Sequence, residues 1–134
     1  MKTTVSAMAM VAGTLALAGP ALAHHPFASE FDARAPLTLS GTVTKVDWAD
    51  PHVSVQMDAK DPNGQTRNWK LELASPAMLQ RKGVNKDSFK QGETITVKAY
   101  RAKSEPFVAS ARMVEPQGGK QMSTADDDDG GPKQ

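Results

Sequence analysis

Apolar residues recur at every second position along the centre of this chain, and this alternation constrains the fold more than any other feature. Between residues 37 and 43, leucine and valine alternate with serine and threonine, and the same period returns over residues 53–57, 69–73 and 95–99. A period of two places one set of side chains on each face of a strand. The chain is therefore predicted to be mostly β, with strands that each bury one face.

The first of these strands changes phase along its length. Val46 and Trp48 continue the alternation, but in the opposite phase to the residues before them. A phase change inside one long β-rich segment indicates a bulge or strong bend near Thr44, and Gly41 would assist it. We therefore expect a long, bent first strand that could serve two sheets.

Turn and helix signals divide the rest of the domain. Asn63-Gly64 tolerates positive φ and predicts a hairpin between its flanking strands. Ser75-Pro76 supplies a helix N-cap and a proline at the first helical position, and Arg81-Lys82-Gly83 supplies a basic last turn with a glycine stop. One short helix is predicted near residues 76–81.

The order of these elements is three strands, a helix and two further strands. That order is typical of an OB-like barrel, in which a long bent first strand closes the sheet on itself. We predict such a barrel of five to six strands with one short helix over residues 37–116. A small open β-sandwich is the alternative.

The amino terminus has the pattern of a signal peptide. Lys2 precedes an apolar run over residues 5–18, Gly19-Pro20 interrupts it, and Ala21 and Ala23 satisfy a signal peptidase. Residues 1–23 are predicted to be removed, which places the protein in the periplasm with residues 24–36 as an N-terminal arm. The alternative, a membrane anchor, is disfavoured because spanning a bilayer takes about 20 apolar residues. With no cysteine, the chain cannot carry a lipoprotein anchor or a disulfide.

The carboxyl terminus differs in composition from the domain. Residues 117–134 are rich in glycine and polar residues and contain four consecutive aspartates at 126–129. Such a segment offers little apolar surface to offset the entropy of ordering it, so we predict a disordered acidic tail. Weak capture of a cation by the aspartates is the alternative, but the spacing of a calcium loop is missing.

Composition and motifs argue against several classes of function. Lysine and arginine total 16 and aspartate and glutamate total 15, so the charge excess expected of a nucleic-acid-binding domain is missing. The sequence has no cysteine nucleophile, nucleophile elbow, glycine-rich phosphate loop or zinc-protease motif. Asp47 and Asp50 flank Trp48 and are interpreted as solvated loop charges. The protein is predicted not to be an enzyme.

Several segments together resemble the exported bacterial family DUF6152. The most specific is Trp48-Ala49-Asp50-Pro51-His52, and the adjacent histidines that begin the arm are also characteristic. Further similar segments lie at residues 24–32, 39–43, 72–76 and 92–97. The chain departs from the family pattern at Asp50, where an amide is expected, and in the loop after residues 100–103. The resemblance implies an uncharacterised periplasmic domain and adds no activity.

The predicted function is therefore non-catalytic binding of an unidentified periplasmic protein or small ligand. Trp48 and the neighbouring Asp50 are the candidate ligand-binding residues, because an aromatic ring beside a strand corner can stack on a ligand. Trp48 could equally be a half-buried core residue. Trp69, which shares its phase with Leu71 and Leu73, is predicted to lie in the core.

The three histidines of the chain suggest a metal site as the alternative function. Cleavage after Ala23 would leave the amine and imidazole of His24 as a chelating pair, with His25 adjacent. Pro26 has no amide hydrogen, so a further ligand would have to come from elsewhere, and His52 could supply it. An amine and neutral imidazoles favour copper(II) by the usual affinity order. In the competing interpretation, His24 and His25 begin a flexible arm and His52 makes an ordinary polar contact.

Overall fold

A computed structural model describes residues 26–133, and this part of the chain is mostly β, as the alternation predicts. His24 and His25 lie outside the described residues, as does the predicted signal peptide. No helix within residues 26–133 is long and apolar enough to cross a membrane. The elements in this range, in chain order, are α1 (Phe27–Glu30), β1 (Phe31–Asp47), β2 (Ser54–Lys60), β3 (Thr66–Glu72), α2 (Pro76–Arg81), β4 (Thr94–Ala102), β5 (Val108–Pro116) and β6 (Met122–Ser123).

The six described strands form one sheet in the order β3-β2-β1-β4-β5-β6. Neighbours in this order are antiparallel. In addition, β3 and β5 pair as parallel strands, with Leu71 opposite Ala109 and Glu72 opposite Ser110. This pairing brings the end of β3 beside β5 and beside the C-terminal segment that follows β5. The candidate site lies there.

The predicted bulge in the first strand is confirmed. The register with β2 passes from Val43 opposite Met57 to Lys45 opposite Gln56, so Thr44 is the extra residue. Residues 36–42 of β1 pair with β4, and residues 41–47 pair with β2. The long strand therefore serves two partner strands of one sheet, and the expectation that it might serve two sheets is corrected.

The predicted hairpin and helix are also confirmed. β2 and β3 are antiparallel, with Met57 opposite Trp69, and Trp69 is buried in the main core as expected. The helix α2 begins at Pro76, and the Ser75 hydroxyl accepts a hydrogen bond from the Met78 amide at 3.3 Å. The local signals were sufficient here because a turn and a helix cap act within a few residues.

The N-terminal boundary of the domain differs from the prediction. Residues 31–36, expected to belong to an arm, are the first part of β1, and Phe31 pairs with Ala102 of β4. Phe27, Phe31 and Tyr100 form a second buried cluster. The Phe27 ring lies 5.5 Å from the Phe31 ring and 5.7 Å from the Tyr100 ring, between centroids. Burial of these aromatic rings attaches the segment to the sheet.

The tail is packed onto the domain, which corrects the prediction of disorder over residues 117–134 for all but Gln134, which is not described. β6 pairs with β5, with Met122 opposite Val114, and the buried Thr124 accepts a hydrogen bond from the Ala74 amide at 2.9 Å. Lys82 donates to the Ala125 carbonyl at 2.6 Å and pairs with Asp127 at 2.7 Å. Specific polar contacts with the domain thus hold a segment in which Met122 is the only large apolar side chain.

Candidate functional site

A small polar cavity lies where the two ends of the described chain meet the sheet. Its volume is about 20 Å³, which is enough for one water molecule or an ion of similar size and too small for an organic ligand. Phe31, Leu73 and Ala111 form the apolar part of its wall. The polar and charged residues that line it are His52, Glu72, Ser110, Arg112, Thr124, Asp126 and Asp129.

His52 has one ring nitrogen fixed by the backbone and the other directed towards a carboxylate. Its Nδ1 lies 3.1 Å from the carbonyl oxygen of Leu73. A carbonyl only accepts hydrogen bonds, so Nδ1 carries a proton. Nε2 lies 3.8 Å from Glu72 Oε1. This is the arrangement in which histidine usually ligates a metal, because the backbone bond sets the tautomer and the ring orientation.

Glu72 is the last residue of β3, and its side chain is only one-third exposed. Burial raises the pKa of Glu72 above its ordinary value, the charge of His52 lowers it, and the charge of Glu30 raises it further. Because the side chain is partly buried, the ionised carboxylate is poorly solvated at this position. A cation beside it would favour the charged form.

Arg112 lines the cavity and holds the C-terminal segment. It lies on β5 with a side chain that is 1% exposed, and it pairs with Asp129 through both terminal nitrogens. Its Nε donates to the Pro132 carbonyl at 3.0 Å. The guanidinium also lies over the Phe27 ring, 5.2 Å from its centroid. One buried cation thus contacts both terminal segments.

The first described residues of the chain are attached beside this cavity. The Phe27 amide donates to the Asp129 carbonyl at 2.9 Å, and Phe31 lines the cavity together with His52. His24 and His25 immediately precede Pro26, the first described residue. The backbone that begins at Pro26 is therefore attached through Asp129 to the cavity that His52 also lines.

The described residues do not form a complete metal centre by themselves. Within residues 26–133, no group of three or more histidine or carboxylate side chains is arranged to hold a metal ion. The pair formed by His52 and Glu72 could supply two ligands at most. A complete coordination shell would need further donors from outside this range or from solvent.

A larger groove adjoins the cavity along the edge of β3 and the loop between β4 and β5. It has a volume of about 310 Å³, at the lower end of the range for small-molecule sites. Phe31 and Glu72 line both the groove and the cavity. The other charged residues along the groove are Glu30, Lys70 and Glu105.

The two other sequence-predicted site residues lie away from both pockets. Trp48 is partly buried and packs against the main core, and Asp50 is exposed. Neither lines the cavity or the groove. Their proposed role in ligand binding therefore stays a prediction. The structure brings His52 to the cavity together with Glu72 and Arg112, which the sequence analysis did not select, and with Asp126 and Asp129 of the aspartate run.

These features define a small, mostly β domain with a polar cavity at one end of its sheet. The model of DUF6152, a family of unknown function, matches residues 12–108. The chain belongs to this family, as the resemblance indicated. No match was found among curated proteins or among solved structures.

Proposed function

We propose that this protein is an exported, non-catalytic binding domain that holds one copper(II) ion between its processed N-terminus and His52. The observation that carries the proposal is the position of His52, which lines a cavity of about 20 Å³ and whose Nδ1 is held by the Leu73 carbonyl, leaving Nε2 available to an ion. The amine and imidazole of His24 would chelate the ion, His25 would offer another nitrogen, and His52 would supply the donor from the sheet.

The size and lining of the cavity favour an ion over an organic ligand. A volume of about 20 Å³ has room for one small species. Carboxylates, the imidazole of His52 and the guanidinium of Arg112, which is paired with Asp129, line it. Copper(II) is favoured because, among divalent first-row ions, it has the highest affinity for a site with nitrogen donors. The attachment of Phe27 to Asp129 supports the approach of His24 and His25 to the same end of the sheet.

The proposal depends on export and cleavage. Only removal of residues 1–23 would expose the amine of His24, and the charged start, apolar run and small residues before the cut favour that cleavage.

The test is a calorimetric titration of copper(II) into mature protein that begins at His24. We expect a single site, and His52→Ala should weaken copper binding by at least about tenfold, as the loss of a group at a metal site typically does. Gln56→Ala is the matched control, because Gln56 is another polar residue in the same stretch that lies outside the cavity. It should leave the affinity unchanged.

Two results would overturn the proposal. One is copper binding by the mature protein that is no tighter than binding by an unfolded peptide beginning His-His-Pro. The other is an affinity unaffected by His52→Ala in a variant whose thermal melt shows that it is folded.

The groove supports a second candidate function, the binding of a small organic ligand by an OB-like barrel. By analogy with OB folds, such a ligand would lie against the loops after the first and fourth strands. The parallel pairing of β3 with β5 supports closure of the sheet, and the groove of about 310 Å³ borders the loop that follows β4. Saturation of mature protein with periplasmic small-molecule extract, followed by native mass spectrometry, should then detect one bound species. Finding only unliganded protein would exclude this candidate.

A further inference from the structure

We propose that the C-terminal segment, residues 120–133, occupies a peptide-binding slot of the domain, and that an extended acidic segment of a partner protein binds in its place. The slot is formed by the end of β3, by β5 and by Lys82 directly after α2. This inference goes beyond the copper site and does not depend on it.

The backbone of the segment is held in a gap between β3 and β5. The parallel pairing of these strands ends at Glu72 on β3, and Thr124 lies beyond that point. Its amide donates to the Arg112 carbonyl at 2.9 Å, and its carbonyl accepts from the Ala74 amide at 2.9 Å. Its hydroxyl donates to the Ala111 carbonyl at 3.0 Å. An extended segment that bonds to a sheet through its main chain is one of the recurring modes of peptide recognition.

Two cations of the domain bind carboxylates of the segment. Lys82 lies 2.7 Å from Asp127 and donates to the Ala125 carbonyl at 2.6 Å. Arg112 binds Asp129 through both terminal nitrogens. Bidentate pairing of arginine with a carboxylate adds geometric specificity as well as energy. The slot therefore favours an extended peptide with two acidic residues shortly after the residue that enters the sheet.

The contacts that hold the segment are mostly polar, so a second peptide can reproduce them. Met122 is its only large apolar side chain, and this side chain is only partly buried against the main core. A segment that is linked covalently to its site is favoured by a high effective concentration. A peptide that makes the same backbone and ionic contacts can therefore compete once it is concentrated enough.

Arg112 favours exchange of one peptide for another over an empty slot. Its side chain is 1% exposed when paired with Asp129, and loss of the segment would remove its carboxylate partner. A buried charge without a partner is costly, whereas a partner peptide with its own carboxylate would restore the pair. The slot thus requires an acidic occupant.

Exchange would also alter the cavity beside His52. Thr124, Asp126 and Asp129 of the segment line that cavity. Departure of the segment would remove these three residues from its wall. Binding of a partner at the slot is therefore coupled by position to access to His52.

The experiment titrates mature protein into a fluorescently labelled synthetic peptide of residues 120–133 and records anisotropy. Asp129→Asn in the protein deprives its own segment of the carboxylate that Arg112 binds. The peptide should bind this variant at least about tenfold more tightly than the parent, because the competing segment has lost a hydrogen-bonded charge pair. Asp128→Asn is the matched control, since Asp128 is the exposed neighbour and the charge change is the same. It should behave as the parent does.

A second variant and a thermal melt cover the case in which Asp129→Asn unfolds the domain. Asp127 is 52% exposed, so Asp127→Asn should leave the protein folded and increase peptide binding by a smaller factor. The parent peptide should raise the Tm of the Asp129→Asn protein, since a ligand of the folded state stabilises it. A peptide that itself carries Asp129→Asn should not.

A second labelled peptide represents a foreign segment. It keeps Met122, Thr124, Asp127 and Asp129 and has alanine or serine at the other positions, and it should bind comparably to the parent peptide. Failure of this peptide to bind would overturn the proposal of a partner. Equal binding of the parent peptide to the Asp128→Asn and Asp129→Asn proteins would show general charge attraction and would also overturn it. So would the absence of binding at millimolar peptide to both the Asp127→Asn and Asp129→Asn proteins.

Discussion

Replacement of Arg112 by alanine is expected to lower the free energy of unfolding by about 3–5 kcal/mol, the cost typical of removing one partner of a buried ion pair. The side chains of Arg112 and Asp129 are 1% and 13% exposed. Without the guanidinium, Asp129 would be a poorly solvated carboxylate with no cation beside it. The substitution would also remove the contact with the Phe27 ring. Urea denaturation of the mature protein measures the change.

Arg34→Ala provides the matched control. Arg34 also pairs with an aspartate, Asp32, at 3.3 Å, but its side chain is 91% exposed. Exposed pairs contribute little because water and salt screen them, so this variant should unfold at nearly the same urea concentration as the parent. A loss of less than about 1 kcal/mol for Arg112→Ala would contradict the assigned role of the pair in holding both terminal segments.

Replacement of Gly41 by alanine is expected to destabilise the protein by about 3 kcal/mol, at the upper end of the usual cost of overpacking. A Cβ atom at Gly41 would lie 2.0 Å from the Asp58 carbonyl oxygen and 2.9 Å from the Met57 side chain. The first contact is with backbone, so no change of rotamer can relieve it. The chain would have to shift where β1 passes between β2 and β4.

Thr42→Ala is the control for this variant, since Thr42 is the next residue of β1 and its side chain is exposed. It should change the free energy of unfolding by no more than about 0.5 kcal/mol, as surface substitutions usually do. Equal stability of Gly41→Ala and the parent in a denaturation experiment would show that β1 and β2 do not approach as closely as described.

Sequence patterns predicted those parts of the fold that depend on near neighbours. The bulge at Thr44 followed from a change of phase, and α2 followed from Ser75-Pro76. The parallel pairing of β3 with β5 joins strands that are far apart in the chain. It could not be predicted, because sequence patterns report only on neighbouring residues. The tail was mispredicted for the same reason, because its aspartates are ordered by Arg112 and Lys82 of the domain.

The candidate site was predictable only in part. His52 could be selected from the sequence because histidine is a common metal ligand. Glu72 alternates with Leu71 and Leu73, as any solvent-facing strand residue would, so its burial beside His52 could not be read from the pattern. Arg112 did leave a signal, since it is the one charged residue within the otherwise uncharged stretch 108–114. A lone charge in such a strand indicates a buried ion pair, but not its partner.

The measurement that tests the central claim most directly is a crystal structure of mature protein loaded with copper(II), with anomalous scattering recorded at the copper edge. We predict one copper ion in the cavity beside His52 Nε2, also bonded to the amine and imidazole of His24. A copper ion bound to the N-terminal histidines alone, with His52 still bonded only to Leu73 and too distant to ligate, would contradict the account.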